Sequence, residues 1–213
     1  MTLDNSPEDI RVLAETWPLC YEFKLPKLSI SIVAGAYQGK VIQLLADLYP
    51  DYERIIGFDP QQWAVALARE RLVKHPRTPI FPYAIGTEIG IFPMGEWNTD
   101  ACSFINTGVR ETGDGRMVEF TQPMEALEIE LIDLAVFNME GYEFKLLPYL
   151  REIGWADKID RMAVQWHVNL GAGGYEEIDE EVKAWQELGH KLIYDHRPQW
   201  TYTENWKRWE SLK

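Results

Sequence analysis

Asn138, Glu140 and His167 are the polar residues best placed to do chemistry. The first two stand in D-L-A-V-F-N-M-E-G-Y-E-F-K-L-L, which predicts a strand over 133–138, a break at Gly141 and a helix from Tyr142 to Leu150. His167 ends M-A-V-Q-W-H, after a strand over 161–166. An imidazole, with an unperturbed pKa of about 6.5, can take a proton at neutral pH. A carboxylate can act as a base or share a divalent cation, whereas an asparagine holds hydrogen bonds but takes no proton. Each residue also has a plainer role: Asn138 can cap the helix, Glu140 can complement its dipole, and His167 can be a satisfied histidine under the sheet rim. A second group lies upstream. Gly35-Ala36-Tyr37-Gln38-Gly39 makes a turn between a predicted strand over 28–34 and a helix over 40–49. Asp59 follows Gly39 by 20 residues, at the carboxyl end of a strand over 54–58, where a carboxylate can accept hydrogen bonds from a ribose diol.

These groups meet only if the chain folds as an open α/β sheet. The order strand 28–34, helix 40–49, strand 54–58, helix 61–74 and strand 78–83 predicts parallel strands with right-handed crossovers. The helix over 61–74 is expected to bury Trp63, Ala66, Leu67 and Leu72. In such sheets ligands lie beyond the carboxyl ends of the strands at the switch point, which puts Asn138 and Glu140 beside Gly35, with Gln165 and His167 on the same rim. Short runs over 88–94, 101–107 and 116–121, punctuated by glycines, predict antiparallel strands and an inserted β-ribbon over 87–121. A helix over 179–188 and a hairpin over 191–195 and 199–202 close the sheet, and Ser6-Pro7-Glu8-Asp9 opens a helical lead-in within 1–27. One domain over 1–213 is expected.

Three nucleoside-type ligands compete for the glycine turn. A dinucleotide wants G-x-G-x-x-G, and the central glycine is missing here. A P-loop wants G-x-x-x-x-G-K-[ST]; Gly39-Lys40 imitates it, but Gly35 is one residue too close and Val41 cannot ligate magnesium. S-adenosylmethionine carries no phosphate and needs room for adenosine, an acid for its ribose and polar groups for its amino-acid end. The turn suits that ligand best, although a glycine-bounded turn is also ordinary structural punctuation.

A formal charge of −13 on 213 residues argues against partners bound through a phosphate backbone, and an anionic membrane surface would repel the chain. No nucleic acid and no membrane are expected as partners. No apolar run approaches the length of a membrane span, and the first residues lack the pattern of a signal peptide. Cys20 and Cys102 make neither a disulfide framework nor a metal set, in keeping with a cytoplasmic setting.

The blocks together resemble the FkbM-type S-adenosylmethionine-dependent methyltransferases. The matching text is Gly35-Ala36-Tyr37-Gln38-Gly39, then Phe58-Asp59-Pro60, then Pro82-Tyr83-Ala84-Ile85-Gly86 with Gly90 beyond. Asp133 to Glu143 follows, with Met139-Glu140-Gly141-Tyr142-Glu143 at its end, and finally Gln165-Trp166-His167. The blocks keep family order over residues 28 to 170. The resemblance implies an α/β fold: a doubly wound, mostly parallel seven-stranded Rossmann-like methyltransferase sheet of class I, with helices on both faces and a small inserted β-ribbon. It implies S-adenosyl-L-methionine as cofactor, with Gly35, Ala36, Tyr37, Gly39, Asp59, Pro60 and Ala84 around it, and O-methylation of a hydroxyl on a small molecule or a sugar or glycan. The chain departs from the family pattern where acids are expected: Val33, Asn138 and Gln165 are neutral, and Tyr37 replaces the asparagine of the turn.

With Asn138 neutral, His167 is the expected base and Glu140 the second candidate. A metal shared by Glu140 and His167 would find a poor hard-cation site beside Asn138, and no metal is expected. Two other classes compete: a methyltransferase fold that binds a ligand or partner without turnover, and a nicotinamide oxidoreductase, which the missing glycine disfavours. Trp200, Tyr202, Trp206 and Trp209 cluster in the C-terminal segment, as edge-strand packing or as a sugar platform or homo-oligomer surface.

Overall fold

Residues 27–96, 102–105, 111–168, 172–196 and 200–205 are described by a computed structural model. In chain order its elements are β1 (Ile30–Ala34), α1 (Lys40–Leu48), β2 (Arg54–Phe58), α2 (Gln62–Arg71), β3 (Ile80–Phe81), β4 (Ala84–Gly86), β5 (Gly90–Glu96), β6 (Cys102–Ser103) and β7 (Glu111–Glu119). Then come α3 (Thr121–Ala126), β8 (Leu134–Phe137), α4 (Glu143–Glu152), β9 (Arg161–Gln165), α5 (Tyr175–Glu187), β10 (His190–His196) and β11 (Trp200–Asn205). The expected N-terminal helix and Trp206 and Trp209 lie outside the described residues.

The main sheet runs β10-β11-β9-β8-β1-β2-β3. From β3 to β9 every pairing is parallel, whereas β11 is antiparallel to both β9 and β10. The hairpin expected near the C-terminus is present, and its second strand lies between β9 and the first. Along the central strands nearly every residue is buried, and successive side chains serve opposite faces. Ile32, Ile56, Phe58, Ala135, Phe137, Met162 and Val164 join Leu146, Leu147 and Leu150 of α4 and Ile178, Val182 and Trp185 of α5 in one core. Val33, Ile55, Leu134, Val136 and Ala163 join Ile42 and Leu45 of α1 and Val65 and Ala68 of α2 in the other. The continuous apolar runs in the sequence are therefore strands covered on both sides.

Three expectations need correction. The strand over 78–83 shrinks to Ile80–Phe81, because Pro79 and Pro82 flank it and lack the N–H a ladder requires. In the helix after β2, Leu72 is buried as expected, but it is joined by Ala64, Val65 and Ala68, whereas Trp63 is 49% and Leu67 43% exposed and Ala66 is exposed as well. The glycine turn packs on this face: a Cβ on Gly39 would lie 3.0 Å from that of Ala68 and 3.2 Å from Cδ1 of Leu72. The ribbon over 87–121 is part of a larger, mixed sheet ordered β4-β7-β5-β6. Its β5–β6 and β5–β7 pairings are antiparallel as expected, but β4 pairs in parallel with β7, so this sheet begins at Ala84.

Gly57 in β2 shows how tightly α1 is seated. A Cβ there would lie 2.5 Å from Cδ1 of Ile42 and 3.0 Å from both Ala36 Cβ and Ile80 Cγ1. Gly57→Ala should therefore cost about 1–3 kcal/mol through overpacking, read as a lower urea midpoint at an unchanged slope.

Candidate active site

The turn after β1 is built from two left-handed glycines, Gly35 (φ +78°) and Gly39 (φ +75°), with Tyr37 between them at φ +45°. Gly35 has no room for a side chain, because its Cβ would lie 1.6 Å from the carbonyl oxygen of Asn138. This contact brings the end of β8 against the turn, and the Asn138 N–H donates to the Ala34 carbonyl at 3.0 Å. Gly35 and Asn138 thus meet at the switch point, as expected.

Four of the five amides of the turn are already engaged. The N–H groups of Gly35 and Ala36 both donate to the Phe58 carbonyl (3.0 and 3.1 Å), and that of Gly39 donates to Ala36 (2.8 Å). Tyr37 donates its N–H to Asp59 Oδ2 at 2.7 Å. A phosphate-binding turn aims such groups at its ligand. This one spends four of them on the protein, which suits a ligand without phosphates.

Asp59 holds the turn to β2. Its Oδ1 accepts the Gln61 N–H at 2.9 Å, and its side chain is almost wholly buried. Burial pushes this carboxyl from an ordinary 3.8 up to about 6, against the lowering effect of the two backbone N–H groups. Tyr37 packs edge-on against the half-exposed Trp63, with ring centroids 5.4 Å apart. Pro60, next in the chain, is partly exposed. Ala84 lies away from the turn's hydrogen bonds, in β4 opposite Met117 and within the core on the α4 side.

The second group centres on His167, which follows β9. Its Nδ1 lies 2.8 Å from Oε1 of Glu143, and its backbone N–H donates to the same oxygen at 2.8 Å. Oε2 of Glu143 accepts the Gly141 N–H at 3.0 Å. Glu143 is fully buried, so three N–H groups supply the solvation its charge has lost. A carboxylate beside Nδ1 favours the tautomer with the proton on Nδ1, which leaves Nε2 as the nitrogen to take up a further proton. Nε2 faces Oε1 of Glu140 at 3.5 Å. Burial works to lower the imidazole pKa, but the hydrogen bond and charge of Glu143, joined by the charge of Glu140, raise it above its ordinary 6.5.

His167 and Glu140 therefore come together as expected, and Asn138 stands at the same strand end as Glu140. Glu143 is the residue that reasoning from sequence missed. Its signal was present, a second acid three residues after Glu140 on the first turn of the predicted helix, but a helix-start acid reads first as a dipole partner. Among the described residues, buried Asn138 Oδ1 and Gln165 Oε1 have no hydrogen-bond partner. These two positions follow the paired residues Phe137 and Val164 on adjacent parallel strands, so they stand side by side. The described residues contain no cluster of His, Cys, Asp and Glu arranged to hold a metal ion, and no helix long and apolar enough to cross a membrane.

By sequence, neither a protein-family model nor a curated protein matches the chain. By structure it is similar to methyltransferase FkbM from Methylobacillus flagellatus KT, at a TM-score of 0.54 and 11% identity, over 83% of this chain and 43% of that one. The chain thus spans less than half the length of that protein. It is equally similar, at a TM-score of 0.54 and 14% identity, to SMU.1697c, a putative methyltransferase from Streptococcus mutans in complex with SAH, over 90% and 96% of the two chains. A putative rRNA-methylase from Clostridium thermocellum matches at a TM-score of 0.51 and 13% identity, over 96% and 97%. The chain has the α/β fold of the methyltransferases, with a mostly parallel central sheet.

Proposed function

We propose that the chain is an S-adenosylmethionine-dependent O-methyltransferase acting on a hydroxyl of a small molecule or sugar. The observation that carries this reading is His167, with Nδ1 beside a buried carboxylate and Nε2 left to receive a proton, at the strand rim where open α/β sheets generally bind ligands. The spent amides of the Gly35–Gly39 turn favour a cofactor without phosphates over a dinucleotide or nucleoside triphosphate. The charge of −13 favours a small acceptor over RNA, although the fold is also that of rRNA methylases. The chain is read as one domain, with the four-stranded sheet as its insertion.

In this reading the turn and Pro60 flank the cofactor, and Asp59 offers the remaining lone pairs of its oxygens to the ribose hydroxyls. Methyl transfer is an in-line displacement: the acceptor oxygen forms a bond to the methyl carbon as the carbon–sulfur bond breaks, leaving neutral S-adenosylhomocysteine. The hydroxyl proton passes to Nε2 of His167. The imidazolium then lies between Glu143 and Glu140, whose charges stabilise it. Asn138 and Gln165 present unpartnered oxygens that can accept hydrogen bonds from donors on the cofactor or acceptor.

A second reading, ligand binding without turnover, is favoured by the burial of Asp59 and the engagement of both its oxygens. Calorimetry with S-adenosylmethionine, followed by methyl transfer from the labelled cofactor to a panel of sugars and small alcohols, separates the two. Binding with transfer supports the enzyme; binding without transfer supports the second reading; no binding defeats both as stated for this cofactor.

Two further outcomes are expected. His167→Ala should lower kcat by about 10²–10⁴-fold. In the parent the rate should rise with pH through a midpoint above 6.5, because the base form exists only above the raised imidazole pKa. Glu143→Gln removes the largest raising influence, so this limb should move to lower pH.

The pH dependence of stability tests the state of Asp59. Its folded pKa, about 6, exceeds the ordinary 3.8, so its contribution is fully present below 3.8 and is lost as pH rises through about 6. The loss amounts to about 3 kcal/mol. Urea unfolding of the parent between pH 4 and pH 7 should show this component, and Asp59→Asn should lack it.

A further inference from the structure

The second sheet reaches the candidate site through one hydroxyl. Ser103, in β6, is 2% exposed. Its Oγ accepts the Ile105 N–H at 3.0 Å and donates to the backbone carbonyl of Glu140 at 2.6 Å. Both sides of the hydroxyl are therefore used, and its direction is fixed. The residue it grips is unusual: Glu140 has φ +51°, a conformation in which a long side chain is strained and persists only when its surroundings enforce it. Neighbouring contacts hold the same loop from the same sheet and the strand leading into it. Phe104 packs edge-on against Tyr142 at 6.4 Å, and the Tyr142 hydroxyl lies 2.9 Å from Oγ1 of Thr87.

We propose that Ser103 is a positioning residue: its hydroxyl, delivered by the second sheet, holds Glu140 in the left-handed backbone conformation that sets its carboxylate against Nε2 of His167. The consequence for catalysis rests on the proposed role of His167 as proton acceptor. The geometric claim does not. Two carboxylates face His167: Glu143, from the first turn of α4, and Glu140, from the loop before it. Two of the three N–H groups that hold Glu143 belong to His167, whereas the third, that of Gly141, shares a peptide unit with the carbonyl that Ser103 holds. Loss of the Ser103 hydroxyl therefore reaches His167 through this one peptide, directly by the placement of Glu140 and secondarily by the Gly141 N–H on Glu143; Ser103→Ala in the Glu140→Gln background isolates the first path.

The test is a titration of the His167 imidazole by NMR on the full chain, in the parent and in Ser103→Ala, Ser103→Thr and Glu140→Gln. Glu140→Gln should lower the His167 midpoint by removing a facing charge. Ser103→Ala should shift it in the same direction, and Ser103→Thr, which keeps the hydroxyl, should restore the parent value. An unmoved midpoint in Ser103→Ala overturns the proposal, even if the melting temperature falls, since Ser103 would then be a packing residue only. An unmoved midpoint in Glu140→Gln also overturns it. If Ser103→Ala does not fold, Ser103→Cys carries the same two outcomes, because its thiol keeps the bulk and is only a weak donor. Where the parent transfers methyl groups, kcat should fall in Ser103→Ala and recover in Ser103→Thr. A parent without transfer defeats the proposed reaction and leaves the midpoint comparison intact.

Discussion

One buried carboxylate joins the parts of the candidate site. Glu143 is fully buried at the start of α4 and collects the Gly141 amide, the His167 amide and the His167 ring nitrogen. Those groups belong to the loop after β8 and the residue beyond β9, so a single charge fixes the distance and rotation between two strand ends. A buried charge is tolerable only where hydrogen bonds replace its hydration, and three N–H donors do so here. The arrangement also decides which nitrogen of His167 is available, and with it the direction from which a proton must come.

Asp59 plays a parallel part on the other side of the switch point. It joins the glycine turn to the end of β2 through Tyr37 and Gln61, as Glu143 joins the loop after β8 to the end of β9. The two differ in environment. Asp59 accepts two neutral amides and its pKa is driven up by burial, whereas Glu143 faces a group that can become a cation. One acid thus shapes the turn while the other sets the protonation of its partner. The close approach of Gly35 to the Asn138 carbonyl holds the two halves together.

Much of this was legible in the residues. The β1-α1-β2 unit, the closing hairpin, the meeting of Gly35 with Asn138 and the pairing of Glu140 with His167 all follow from apolar runs, glycines and the rule that ligands lie at strand ends. The misses have local causes. Trp63 and Leu67 look like core residues by hydropathy, but the buried face is that of Ala64, Val65, Ala68 and Leu72, with the small Ala68 where the glycine turn comes closest. The parallel pairing of β4 with β7 joins residues far apart in the chain, and short strands carry no sign of their distant partner. Glu143 was hidden because its partner lies 24 residues away, beyond another strand. Asp59 was legible as an acid at a strand end, but its engagement with the turn's own backbone depends on the conformation of Tyr37, which no periodicity encodes.

The placement of β11 has a consequence for assembly. β10 touches the main sheet only through β11, which separates it from β9. In the main sheet β2, β3, β8 and β9 can each pair against an earlier neighbour as they emerge during synthesis, yet β10 must wait for a segment made after it. The hairpin therefore docks as a unit, with its later arm leading, and until then the outer edge of β9 is an open ladder of amides and carbonyls. A nascent chain stalled before Trp200 would expose that edge to any passing strand.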